Sequence, residues 1–223
     1  MEKVDLRKAL KHLYNPKPGK PELIEVPSLS YAMVDGHGDP NTSSEFQEAI
    51  EALYGVSFTA KFTLKKADPP VDYSVMGLEG LFWTADLSTF SMERRGEWDW
   101  TLMIMQPKFV TREVFLETVE RLSVKRPSPA LNKLRLETLN EGLSVQVMHI
   151  GPYAEEPTTI GALHAFIRAN GYEFSGRHHE VYLSDPRKAK PETMKTIIRQ
   201  PVTAAAHRCA ATDTSSCRSG RPS

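Results

Sequence analysis

Two cysteines, Cys209 and Cys217, are all that the 223 residues contain, and both sit in the last stretch, outside anything with a folded pattern. That excludes a disulfide framework and leaves no thiol placed for catalysis. Net charge is lacking too: Lys+Arg 28 against Asp+Glu 28 gives a formal +0, and no basic stripe could track a phosphate backbone. Nucleic acid is therefore not an expected direct partner. No run of about 18 apolar residues occurs, so no membrane helix is expected. Met1-Glu2-Lys3-Val4-Asp5 leads into no apolar core of signal-peptide length, which makes the cytoplasm the expected compartment. No Cys or His cluster has zinc spacing, and Asp35-Gly36-His37-Gly38 lacks the spacing and the lysine of a phosphate loop, so neither metal nor cofactor is expected.

What is present is 40% hydrophobic residues, enough to bury a sizeable core as one domain or two small repeated ones. Residues 1–20 form a lead-in in which Leu6, Leu10 and Leu13 have near-helical spacing, ended by Asn15-Pro16. Two short strands around Pro27-Ser28, Leu23–Val26 and Leu29–Val34, read as a hairpin. A helix follows, with Ser44 and Gln47 at capping-box spacing, Phe46, Ile50, Leu53 and Tyr54 on one stripe, and Gly55 as its stop. Residues 56–72 read as a loop or weak helix extension, and Tyr73–Trp83 as a strand with Tyr73, Glu79, Leu81 and Trp83 on one face. A loop rich in Ser, Glu and Arg leads to the strand Trp98–Met105, and Thr111 caps a third helix with Val114, Phe115, Val119 and Leu122 inward.

Beyond a linker at 125–133 the pattern repeats. Leu136–Leu139, a turn at Asn140-Glu141-Gly142 and Leu143–His149 echo the first hairpin, Leu143-Ser144 repeating Leu29-Ser30. A helix through Ile160, Leu163, Phe166 and Ile167 ends at Asn170-Gly171, and Ile198-Arg199-Gln200-Pro201 echoes Ile104-Met105-Gln106-Pro107. Two strand-helix-strand-strand units are expected, at 21–124 and 134–202, because neither half alone has much core. Residues 203–223 have no apolar period and are expected to form a disordered tail foreign to the fold.

The chemistry concentrates in His178-His179-Glu180-Val181-Tyr182-Leu183. As a strand, it puts Val181 and Leu183 on one face and His178, Glu180 and Tyr182 on the other. That second face lines either solvent or a groove. In a groove walled by aromatic rings Glu180 loses hydration, its pKa is expected to rise, and it becomes a base for water addition. Glu155 is the second catalytic candidate, and Tyr182 or His149 would orient water or polarise a carbonyl. Trp83, Trp98, Trp100, Tyr153 and Tyr182 offer either stacking surface for flat or cationic ligands or core packing. Trp98 and Trp100 are two apart and share one fate.

Taken together, Met148-His149-Ile150-Gly151-Pro152-Tyr153, Glu155-Glu156-Pro157, Asn170-Gly171-Tyr172, Gly176–Pro186 and Leu78-Glu79-Gly80-Leu81-Phe82-Trp83 resemble the GyrI-like small-molecule-binding family over residues 1–202. The resemblance implies an α+β fold of tandem SHS2-like units with antiparallel sheets and a central groove for flat or cationic apolar ligands. It is nearest to the free-standing branch of cyclopropanoid cyclopropyl hydrolases, which add water across the strained ring of flat DNA-alkylating compounds within an aromatic cage. Glu180 matches the family's groove carboxylate, Trp83 and Tyr153 its aromatic walls, with Glu79 beside them. Phe82 stands where a second tryptophan is expected. Sequestration of such ligands without turnover, and a role in binding an enzyme such as gyrase, are the alternatives.

Overall fold

The computed structural model describes residues 3–84 and 94–205. Along the chain run β1 (Lys3–Val4), α1 (Leu6–Ala9), α2 (Lys11–Tyr14), β2 (Glu22–Val26), β3 (Leu29–His37) and α3 (Ser44–Lys65). Then come β4 (Asp72–Tyr73), β5 (Leu78–Trp83), β6 (Asp99–Gln106) and α4 (Arg112–Lys125). The second half contributes β7 (Arg135–Leu139), β8 (Gly142–Ile150), α5 (Glu156–Ala169), β9 (Tyr172–Phe174), β10 (His178–Tyr182) and β11 (Lys195–Ala204). A nine-stranded sheet takes the order β2-β8-β11-β10-β5-β6-β3-β7, with β9 on one end of β11. Its ladders are antiparallel, and β1 pairs separately with β4.

Neither expected hairpin forms. A two-residue hairpin loop needs φ > 0 at one or both of its central residues, and Pro27-Ser28 supplies none; in the Asn140-Glu141-Gly142 turn Gly142 does have φ > 0, yet β7 and β8 on either side of it pair elsewhere. Instead β2 pairs with β8 of the second half, and β7 pairs with β3 of the first. Each half thus lends a strand to the other. The seam is the β5–β10 ladder, where Gly80 lies opposite Glu180.

Gly55 does not stop α3 either. A Cβ there would stand 2.9 Å from Leu122 Cδ2, so the glycine admits a close approach of α4 and the helix continues to Lys65. The cap is Ser43, whose Oγ accepts from Phe46 N–H, one residue before the expected Ser44. Thr111 caps α4 as expected, accepting from Val114 N–H. The Tyr73–Trp83 strand splits in two, because at Gly77 the backbone passes so near Tyr182 that a Cβ would meet its carbonyl oxygen at 2.7 Å. Thr203 and Ala204, which the sequence assigned to the tail, pair with β9, while residues 206–223, like 85–93 of the Ser-rich loop, lie outside the described residues.

Helices α3 and α5 cover one face of the sheet. Under α3 lie Ala32, Val34, Leu102 and Ile104, facing Phe46, Ala49, Leu53 and Val56; under α5, Val145, Val147 and Ile198 face Ile160, Leu163 and Ile167. The opposite face receives the lead-in, whose Leu13 carbonyl accepts from Arg199 and whose His12 carbonyl accepts from Gln146. No described helix is long and apolar enough to cross a membrane.

Candidate functional site

Strand β10 carries chemistry on both of its faces. On the helix-covered face His178 Nε2 lies 3.0 Å from Glu180 Oε1, and Tyr182 OH lies 2.8 Å from Oε2. An ionised carboxylate only accepts, so both neighbours donate. Burial works to raise the pKa of Glu180, but the His178 and Tyr182 hydrogen bonds outweigh it and hold the carboxyl below its usual range. This reverses the expectation of a raised Glu180. The alternation that turns Glu180 inward also turns a donor inward on each side of it.

The raised carboxyl belongs to Glu156, the first residue of α5. Burial and then the charge of Glu180 push it up to about 8. Its Oε1 and Thr196 Oγ1, each buried, have no hydrogen-bond partner among the described residues. Glu155, favoured by the sequence, is exposed. Pro157 fixes the helix start, and consecutive helical positions diverge by about 100°. The missed signal was the stripe itself: Glu156, Ile160, Leu163 and Ile167 follow i, i+4, i+7, i+11 spacing, and all are buried.

On the other face a second polar network is fully enclosed. Glu79 accepts from Tyr14 OH at 2.8 Å, Tyr31 OH at 3.3 Å and His179 Nε2 at 3.1 Å. His179 Nδ1 lies 2.9 Å from Glu141 Oε1, and Arg199 Nη1 donates to Glu141 Oε2 at 3.0 Å. With a carboxylate at each ring nitrogen, His179 donates twice and is an imidazolium. Although burial opposes its charge, Glu141 and Glu79 raise it to about 9. Glu141 goes the other way: against burial, His179 and Arg199 lower it to about 2.

The architecture and the two faces of β10 can now be set against known proteins. The GyrI-like small molecule binding domain model matches residues 19–203. The chain belongs to the GyrI-like family. An uncharacterized conserved protein from Listeria innocua is 41% identical, covering 90% of this chain and 100% of that one at a TM-score of 0.84. A hydrolase from Listeria innocua is 40% identical, covering 91% and 100%, at 0.81. The EcmrR C-terminal domain shares the fold alone, at 14% identity and a TM-score of 0.52 over 83% of this chain and 98% of that one. No curated protein matches.

Within this GyrI-like chain the sequence-selected residues divide. Tyr153 and Tyr182 meet edge to face at 5.8 Å beside Glu180; burial and the Glu156 charge push Tyr153 up to about 12. Trp98 is buried against Phe82, ring centroids 5.5 Å apart, with the Arg95 guanidinium 5.6 Å above it. The Arg95 charge favours the ionised forms of both Glu156 and Glu180. Trp100 is wholly buried under α3, edge-on to Phe46 at 5.0 Å and filling the space that Gly36 leaves. Strand alternation puts Trp83 on the face opposite Glu180, where Arg177 lies over its ring at 3.7 Å. Glu79 shares that face, without a surface of its own. His149 is engaged at both nitrogens, Nε2 donating to the Pro152 carbonyl and Nδ1 accepting from Thr159 OH, which ties β8 to the start of α5.

Proposed function

We propose that this GyrI-like domain hydrolyses the cyclopropane ring of flat, electrophilic alkylating compounds. One observation carries the reading: Glu156 and Glu180 form a buried carboxyl pair whose proton affinities are pushed apart, Glu156 to about 8 and Glu180 downward. A carboxyl near 8 is a far stronger base than an exposed one, and it is ionised in a useful fraction at neutral pH. Glu156 takes a proton from water, and the water oxygen bonds to the ring methylene. The carbon–carbon bond of the cyclopropane breaks, and its electron pair moves into the conjugated dienone, whose oxygen becomes a phenolate and is protonated from solvent. Substrate plus one water gives product.

Glu180, ionised and fixed by His178 and Tyr182, favours the electron-poor end of the ligand and raises Glu156 by its charge. Tyr153, Tyr182 and Trp98 offer the ring faces and edges that hold a flat molecule. The hydrolase from Listeria innocua, 40% identical over 91% of this chain, supports a hydrolytic reading.

The test is incubation with a spirocyclopropyl-dienone alkylating agent, following the ring-opened product by mass spectrometry. Catalytic gain of one water is expected, rising with pH through about 8, lost in Glu156→Gln and shifted to lower pH in Glu180→Gln. Tight binding without product by the wild type would overturn hydrolysis and assign the domain to sequestration.

A further inference from the structure

Thr196 belongs to none of the motifs read above. It lies on β11, opposite Tyr182 on one side and His149 on the other, facing the first turn of α5. Only 1% of its surface is exposed, and its hydroxyl has no hydrogen-bond partner among the described residues. A buried hydroxyl left unpaired costs about 1–3 kcal/mol, so such groups in native folds hold a water or a ligand. The neighbouring polar groups are committed elsewhere. Tyr182 OH donates to Glu180, and His149 uses both nitrogens on Thr159 and the Pro152 carbonyl. What the Thr196 hydroxyl faces is the Glu156 carboxyl, near enough to favour its ionised form yet outside hydrogen-bond geometry with it, and Glu156 Oε1 is the second unpaired buried atom here.

We propose that Thr196 Oγ1 and Glu156 Oε1 hold one water molecule between them and that this is the water added to the substrate. The second half rests on the hydrolytic reading above; the first does not. A buried water needs at least two polar partners, and these two unpaired oxygens supply them. The threonine methyl packs while the hydroxyl fixes where the water's lone pair points, so the proton leaves toward Glu156 and the oxygen faces the ligand. Thr196 is thus a water-holding residue, and its contribution falls on turnover and not on ligand affinity.

The experiment compares wild type, Thr196→Val and Thr196→Ser with the same spirocyclopropyl compound. Valine keeps the shape and removes the hydroxyl; a fall of about a hundredfold in kcat at unchanged KM is expected, with serine restoring most of it. The pH midpoint of turnover moves upward in Thr196→Val, because losing the hydroxyl and the water it holds removes polar contacts that favour ionised Glu156. Glu180 and Tyr182 from β10, Tyr153 before α5 and Arg95 also act on that carboxyl and are unchanged in the variant. Unaltered kcat and midpoint in Thr196→Val would overturn the proposal, as would a rise in KM that accounts for the whole loss. Should the wild type hydrolyse nothing, the hydrolytic reading fails. The water site is then judged alone by a crystal structure of the wild type. A water within hydrogen-bond distance of both Thr196 Oγ1 and Glu156 Oε1 supports it, and a direct contact between the two side chains with no water overturns it.

Discussion

Glu79 and Glu180 sit on adjacent strands and point to opposite faces of one sheet, and their surroundings differ in what they leave unpaired. Both oxygens of Glu79 and of Glu141 and both nitrogens of His179 have protein partners, and of that network only Arg199 Nε lacks one. Around Glu180 the unpaired atoms belong to groups that handle protons, Glu156 Oε1 and Thr196 Oγ1. The lesson concerns reading buried charge: a closed network joins elements, whereas an open one is kept for something that is not protein. The closed face joins α2, β3, β5, β10, β11 and the Asn140-Glu141 connector between β7 and β8. The open face is where the proposed chemistry lies.

The comparison breaks most visibly at Arg199. Replacing it with leucine leaves Glu141 balanced by His179 alone and frees the Leu13 carbonyl and Gln146. A loss of about 3–5 kcal/mol is expected in denaturant unfolding, while the molecules that remain folded bind ligand as the wild type does. An equal effect on ligand binding would show that the closed face is not separate from the site.

Comparable in size is the pH dependence of stability, to which the two faces contribute in different windows. Glu156 is near 8 folded against 4.5 unfolded, so its favourable contribution is complete below 4.5 and lost as pH rises to 8. His179 is near 9 folded against 6.5 unfolded, so its contribution is complete below 6.5 and lost as pH rises through 9. Glu141, lowered to about 2, stabilises above 4.5 and loses this as pH falls toward 2. Melting temperature should therefore decline from about pH 5 upward. Glu156→Gln should remove the part of the decline between 4.5 and 8, on the order of 5 kcal/mol, and leave the His179 limb in place. A variant whose curve overlays the wild type would mean that Glu156 is not the raised group.

Smaller again is Tyr182→Phe, which removes one of the two donors to Glu180. A hydrogen bond to a charged group is worth about 2 kcal/mol, so Glu180 should bind protons more readily and the acid limb of ligand binding should move to higher pH. The ring remains against Tyr153. A change in affinity at high pH would point to lost stacking and not to the lost donor.

Much of this was legible in the chain. Alternation in His178–Leu183 placed Glu180, Tyr182 and His178 together, and the ordered motifs carried the family. Partners in long-range ladders were not legible, because Leu23–Val26 and Leu29–Val34 look like a hairpin until the missing positive φ at Pro27-Ser28 is considered. Nor was the closed network, since Tyr14, Glu79, Glu141, His179 and Arg199 converge only through tertiary packing. Glu156 was within reach, at the head of the Ile160–Leu163–Ile167 stripe, but a carboxylate at a helix start reads first as a dipole partner. Thr196 carried no signal beyond its place in a strand.

The smallest effect is the sharpest probe of the boundary between the faces. The sequence ranked Trp83 among the ligand walls, and the register sets it on the Glu79 side with Arg177 stacked on its ring. Arg177→Ala removes an exposed cation from an aromatic face, a change of about 0.5–1 kcal/mol in stability. Because the indole stays on the far side of the sheet from Glu180, ligand affinity should hold within twofold, by fluorescence titration with a flat cationic dye. A larger gain or loss would bring Trp83 back to the ligand, and the sheet would then carry binding on both faces.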